Sequence, residues 1–280
     1  MRRRARWTAP LTPCQPIRRT WRRVAEGNEM DTPFGMAAMS AFTFPGPKLP
    51  RPAEGAPVAL GRATLAGMDV LLDPTGALYW PAEDLLVVSD LHLETGSSYA
   101  RTGQMLPPYD TAITLAALAE AVRRHRPSRV LSLGDTFHDP FGAERLAGPA
   151  RDMLASLMDI AEFIWITGNH EKDGAAALGG SVHEAITIAG TTFRHIPSAE
   201  PAEEREVAGH LHPAARISLK GRTLKRRCFV GCARRLVMPA MGCLTGGLPV
   251  SDPVFASLWP TTRPELHLMG RNRVYALGNS

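Results

Sequence analysis

The chain has 280 residues, 44% of them hydrophobic and 21% charged, a balance that suits one packed core. No run approaches the roughly twenty uninterrupted apolar residues of a transmembrane helix, so a soluble, cytoplasmic protein without a membrane partner is expected. The net charge of +5 is local: eight arginines against two glutamates give residues 1–30 a charge of +6, which leaves residues 31–280 at −1 and no basic face on the body.

Residues 1–40 are expected to form a basic extension outside the fold, and residues 41–280 a single domain. The extension has no apolar h-region and is not a secretory signal. A targeting peptide, a nucleic-acid arm and a translation start placed ahead of the true one at Met30, Met36 or Met39 are its alternatives, the last being preferred. Residues 41–68 are rich in Pro and Gly and are read as an irregular lead-in. "DVLLDPTGALYWPAEDLLVVSD", from Asp69 to Asp90, reads as strand, turn at Pro74-Thr75-Gly76, short strand, turn, and then a strand buried on both faces. "TAITLAALAEAVRRHRP" has helical spacing through Ile113, Leu115, Leu118 and Val122, and a basic last turn ahead of Pro127. "SRVLSLGD" is a second apolar run ending on an acid, Asp135. A helical stretch over about 143–160 precedes the third, "EFIWITGNHE", which ends on Asn169 and His170. Strands alternating with helices imply parallel β-α-β units, whose ligands sit outside the carboxyl ends of the strands. From about residue 182 the pattern changes to short strands and turns with little room for helices, as in a second sheet stacked on the first.

The cysteines, at 14, 228, 232 and 243, form no C-x-x-C pair. They are read as packed, reduced thiols in a reducing compartment, with zinc at the lone C-x3-C as the weaker alternative.

The polar tips, taken in order, are Asp90-x-His92, Gly134-Asp135, Gly168-Asn169-His170-Glu171, His195 and Gly209-His210-x-His212. Carboxylates and imidazoles with one amide oxygen suit Mn, Fe, Zn or Ni better than Ca, and the missing thiolates argue against a closed structural zinc site. Each motif alone is weak. Their order, with three of them at the ends of apolar strands, is the signal.

This ordered set resembles the calcineurin-like metallophosphoesterase superfamily over about residues 68–250. The resemblance implies an α/β (α+β) fold, a four-layer α-β-β-α sandwich of two mixed sheets. It implies two divalent ions, manganese first, with iron, zinc, nickel or magnesium as alternatives. Asp90, His92, Asp135 and His212 would hold one ion and Asp135, Asn169, His195 and His210 the other, so that Asp135 bridges. His183 competes with His195, since a single histidine has no spacing to check. The implied chemistry is in-line attack on a phosphoester by a metal-bridging hydroxide, with His170 protonating the leaving oxygen. Many members carry an acid three residues after the bridging aspartate; here that place is His138, followed by Asp139. These two, with Glu171, are read either as groups that orient the ligands or as ordinary turn residues.

"GALYWPAEDLLVVSDLHLETGSSYARTGQMLPPYDT", "LGDTFHD" and "MPAMGCLTGGL" are similar to the bacterial PdeM family, described as ligase-associated DNA damage response endonucleases. That similarity implies DNA as substrate, and a DNA ligase, helicase and exonuclease as partners in repair. Thr95 stands where many members carry lysine, leaving Arg101, Arg234 and Arg235 as substrate cations or plain surface arginines. Two other readings stand beside it: a phosphodiesterase for nucleotides or other small diesters, and a non-catalytic phosphate-binding scaffold, against which the intact ligand set argues.

Overall fold

The first sheet opens as a meander in which β1 (Gly61–Leu65), β2 (Met68–Leu72), β3 (Leu78–Trp80) and β4 (Leu85–Val88) pair antiparallel in chain order. In the computed structural model the described residues are 57–170, 174–199, 204–219 and 221–277. They all fall in one compact unit, Pro50–Ser280. The expected extension over residues 1–40, the readings placed on it, Cys14 and Glu171 lie outside the described residues.

β1 corrects the reading of residues 41–68 as wholly irregular. Its five residues are bounded by Gly61 and alternate in burial toward Leu65, and a strand this short with one arginine carries little pattern. After β4 come α1 (Thr95–Ala100) and α2 (Asp110–His125), then β5 (Arg129–Ser132). Next are α3 (Gly142–Arg145), α4 (Gly148–Met158), β6 (Glu162–Ile166) and β7 (Ser181–His183). The pairs β4–β5, β5–β6 and β6–β7 are all parallel, as the β-α-β rhythm requires. The single helix expected over 143–160 is two, because Leu146 adopts ψ 112° and Pro149 opens a new first turn, where its missing N–H costs nothing.

The second sheet is built from β8 (Ala185–Ile188), β9 (Thr191–Arg194), β10 (Arg205–Ala208), β11 (Pro213–Leu219), β12 (Arg222–Gly231), β13 (Arg235–Val237) and β14 (Leu248–Pro249). Its order is β14-β11-β12-β13-β10-β9-β8, and β15 (Glu265–Met269) pairs with β12 and with β16 (Val274–Leu277). α5 (Pro253–Leu258) is the one α-helix among its described residues.

Alternation along the strands sorts the side chains into layers. Leu86, Val88, Val130, Phe163 and Trp165 face α2 and α4, packing on Leu115, Leu118, Val122 and Leu154. Leu85, Val87, Leu131, Ile164 and Ile166 face the other way, onto Phe193, Val207, Phe229 and Leu236 of the second sheet. Beyond that sheet, Cys228, Val230 and Val237 are covered by Phe255, Leu258 and Trp259. Helices, two mixed sheets and a short outer helix give the four layers, the last reduced to α5. Cys228 is buried, Cys232 and Cys243 are half-buried, and none of the three is in a disulfide. Among the described residues no helix is long and apolar enough to cross a membrane.

Candidate metal centre

The tips of β4 and β5 continue to pair after both strands end. Asp90 N–H donates to Gly134 C=O (3.3 Å), His92 N–H to Asp135 C=O (2.9 Å) and Leu93 N–H to Thr136 C=O (2.8 Å). Leu91 is fully buried in the helix-side core, which turns Asp90 and His92 together toward the open end of the sheet. The second sheet ends beside the first: Gly209 N–H donates to His195 C=O (3.0 Å), and His210 N–H reaches Asp90 Oδ2 (3.0 Å).

The glycines of the motifs have a steric cause. A Cβ on Gly168 would lie 2.1 Å from Asp135 Oδ1, one on Gly209 2.0 Å from Ser89 Oγ, and one on Gly134 2.6 Å from His195 Nδ1. Each glycine lets one ligand-bearing segment close onto another. The backbone is strained where the side chains converge, since Asp90, His92, Asp135, His210 and His212 all have φ between 43° and 68°. Positive φ at non-glycine residues costs free energy and clusters where side-chain direction matters most.

Two groups result. Asp90, His92 and His212 form one, and Asp135, His195 and His210 the other, each with its ligand atoms within 4.8 Å of one another. His212 Nε2 lies 3.2 Å from Asp90 Oδ1 and 3.3 Å from His92 Nε2. His195 Nε2 lies 3.3 Å from Asp135 Oδ2, 2.9 Å from Asn169 Oδ1 and 3.2 Å from His210 Nδ1. Asp135 Oδ2 is also 3.7 Å from His92 Nε2, so this carboxylate stands between the groups. All seven residues expected to bind metal are thus brought into one cluster. His183 ends β7 at the sheet edge and belongs to neither group. A third set, His92, His138 and His170, has the same compactness, but it shares His92 and lacks a carboxylate, so it is the poorer cation site.

The donor set fits divalent cations. Imidazole nitrogens approach one another at 3.2–3.3 Å beside buried carboxylates, a convergence of nitrogen and oxygen donors that suits a divalent cation. Burial holds His92 down at about 4, so its ring is neutral at neutral pH, with one nitrogen carrying hydrogen and the other offering a lone pair. Burial raises the Asp135 carboxyl, but the His195 hydrogen bond and charge outweigh it and bring it to about 2. Asp90 is likewise lowered, burial being overcome by His212 and His195. His195 Nδ1–H donates to Leu133 C=O (2.7 Å), which fixes the ring and turns Nε2 into the site. His92 has no such anchor. Its Nδ1 is buried without a partner among the described residues, and its ring is held by those of His138, His170 and His212 at 5.0–5.6 Å.

His170 lies at the rim, its side chain 41% exposed. Its Nδ1–H donates to His138 C=O (2.9 Å) and its backbone N–H to Asp135 Oδ1 (3.0 Å), so Nε2 faces the site, 4.0 Å from Asp135 Oδ2. His138 therefore orients His170 through its backbone. Asp139 does something else: it pairs with Arg145 (2.6 Å), caps the turn at Phe141, and touches none of the seven. Arg234 is not brought to the site. Its carbonyl accepts from Glu206 at the start of β10, the opposite end of that strand from His210, and Arg235 is buried in an ion pair with Glu206 (2.7 Å). Arg101 caps α1 at the surface, with its guanidinium 5.1 Å over the Phe141 ring. Thr95, in the place of the missing lysine, is buried and donates to His92 C=O (2.7 Å).

Sequence reasoning missed the supports. Ser89 Oγ donates to Asp90 Oδ2, while Met241 N–H and Gly242 N–H donate to the carbonyls of Ser89 and Asp90 at 2.9 and 3.0 Å. The "MPAMGCLTGGL" segment thus packs on the backbone of the first ligand, and Arg227 holds it through the carbonyls of Ala240, Met241 and Gly242.

The calcineurin-like phosphoesterase family profile matches residues 84–225, just over half of the chain. The chain belongs to that family. Among solved structures, this phosphoesterase is similar to the Pseudomonas putida nuclease MPE, with 28% identity over 78% of this chain and 100% of that one and a TM-score of 0.61. It is also matched to Yfce, a phosphoesterase from E. coli, at 12% identity over 66% of this chain and 87% of the other, with a TM-score of 0.33. No curated protein sequence matches significantly. The family binds two divalent metals, and this member has two His/Asp groups that could each take one.

Proposed function

We propose that this phosphoesterase is a nuclease, a DNA endonuclease of the PdeM kind that works in a repair system with a ligase, a helicase and an exonuclease. The observation that carries the metal-dependent part is the position of Asp135 Oδ2 between His195 Nε2 (3.3 Å) and His92 Nε2 (3.7 Å), one carboxylate serving both donor groups. Asp90, His92, Asp135 and His212 would hold one ion, and Asp135, Asn169, His195 and His210 the other. Manganese suits the mixed oxygen and nitrogen donors. When bound, two such ions supply an activated water and neutralise the charge that develops on the phosphoryl oxygens.

The protein's own atoms do the remainder. Leu133 C=O fixes the His195 tautomer, and the Ser89 hydroxyl and His210 N–H hold the Asp90 carboxylate in one orientation. With Nδ1–H committed to His138 C=O, His170 has Nε2 left to carry the proton for the leaving oxygen. Its exposed place at the rim leaves it accessible to a phosphodiester that enters from solvent.

The similarity to a nuclease across that protein's full length supports nucleic acid over a small diester. Cleavage of circular single-stranded DNA with Mn²⁺ tests it, with Asp135→Asn in parallel and bis-p-nitrophenyl phosphate as control. Cutting of the circle by wild type alone is expected. Hydrolysis of only the small diester would leave a phosphodiesterase and remove the DNA assignment.

A further inference from the structure

Aromatic rings lead from the metal centre outward to the surface. His92 lies 5.6 Å from His138, and His138 lies 5.5 Å from Tyr99 with planes inclined by 31°. Tyr99 is on α1, whose Ser97 accepts from Arg145 Nε (2.9 Å), so α1 is fastened to the 139–145 segment that carries Phe141. Tyr99 is 37% and Phe141 51% exposed, and Met105 just beyond α1 is 83% exposed. Large rings in water beside a polar site are costly to leave uncovered. Arg101 lies over Phe141 at 5.1 Å and forms no ion pair among the described residues, whereas Arg145 nearby is neutralised by Asp139. Apolar ring faces beside a cation that no carboxylate neutralises match unpaired bases on a phosphate backbone better than they match a protein side chain of either charge.

We infer that Tyr99 and Phe141, with Arg101, form a stacking surface for unpaired bases of a nucleic-acid strand whose scissile phosphate lies at the metal centre. This rests on the nuclease reading and extends it to the residues that would hold the strand beside the cut. A continuous duplex buries its base faces and presents nothing to these rings. Arg101 contributes to the adjacent phosphate, which gives the surface a salt dependence.

The test uses the full chain loaded with Mn²⁺ and an oligonucleotide carrying 2-aminopurine beside the cleaved bond. Loss of stacking weakens binding roughly 5- to 150-fold per base. Tyr99→Ala with Phe141→Ala should therefore raise KM for the single strand by roughly 10-fold or more and abolish fluorescence quenching of the bound base. Turnover of bis-p-nitrophenyl phosphate, too small to reach the surface, should not change, which shows that the variant is folded. Tyr99→Phe with Phe141→Tyr should restore both KM and quenching. The stacking surface is overturned if the double alanine variant cuts the single strand with wild-type KM and quenching. It is equally overturned if that variant alters only self-association, which would make the patch a protein contact. Should wild type hydrolyse the small diester but cut no nucleic acid, the nuclease reading fails and the stacking surface falls with it.

Discussion

Two clusters of buried aspartate and histidine differ in what completes the shell around the carboxylate. Asp73, in the turn after β2, has both oxygens occupied. Oδ1 accepts from Thr75 N–H and Oγ–H at 2.9 Å, and Oδ2 from Arg124 and from His125 Nε2 at 2.9 Å, with the Tyr79 ring stacked on His125 at 4.8 Å. At the metal centre, Asp90 and Asp135 face imidazoles that crowd one another, and no lysine or arginine is committed to either carboxylate among the described residues. The first cluster is closed by protein and ties the β2–β3 turn to α2. The second is open toward solvent and short of positive charge. Burial of a carboxylate does not by itself mark function; the identity of what completes its shell does.

Removing the shared carboxylate should break the open cluster outright. Asp135→Ala is expected to lose both ions and reduce turnover to background, as measured by metal analysis beside the circle assay; two ions still bound per chain would remove Asp135 from its bridging place. His170→Ala should keep the ions and lower turnover by about 10²–10⁴-fold, because only the proton at Nε2 is taken away. Rescue by added imidazole would sharpen that assignment, whereas unchanged turnover would end it. Gly209→Ala forces a Cβ against Ser89 Oγ and, at 2.7 Å, Asp90 Oδ2. Weaker metal affinity by about 10–100-fold with an unaltered far-UV spectrum is expected.

The smallest effect belongs to the closed cluster. Burial alone would raise the Asp73 carboxyl, but His125, Thr75 and Arg124 bring it from 3.8 to about 2. A carboxyl lowered on folding stabilises the fold above its unfolded value and loses that contribution as pH falls through its folded value. Asp73→Asn should therefore cost about 2 kcal/mol at pH 7. The gap to wild type should narrow from about pH 5 downward and close only below about pH 2. Denaturant titrations across that range, with activity at saturating Mn²⁺ unchanged, would separate this cluster from the catalytic one. A gap that stays constant with pH would mean that the Asp73 charge contributes nothing.

The open cluster was more legible in the sequence than the closed one. Strands buried on both faces give continuous apolar runs, so Leu85–Val88, Arg129–Ser132 and Glu162–Ile166 announce themselves, and each ends on a polar tip that the parallel order carries to one crevice. His195, His210 and His212 are visible only through their order, because the segments that bear them are short and half-exposed. The Asp73 cluster spans 51 and 52 residues to its helix partners and has no spacing to read. The helix break at Leu146 and the positive φ values depend on tertiary closure that no local pattern encodes. Arg234 was misplaced for the same reason. A strand segment shows which residues are cationic, and only its parallel pairing with β10 shows which end of the sheet they occupy.

Electron paramagnetic resonance of the wild-type chain titrated with Mn²⁺ tests the central claim most directly. Two ions sharing the Asp135 carboxylate should lie about 3.5–4 Å apart and give an exchange-coupled spectrum that saturates at two manganese per chain. Asp135→Asn should lose that coupling. A wild-type spectrum of isolated manganese, or saturation at a single ion, would contradict a dinuclear centre built on Asp135.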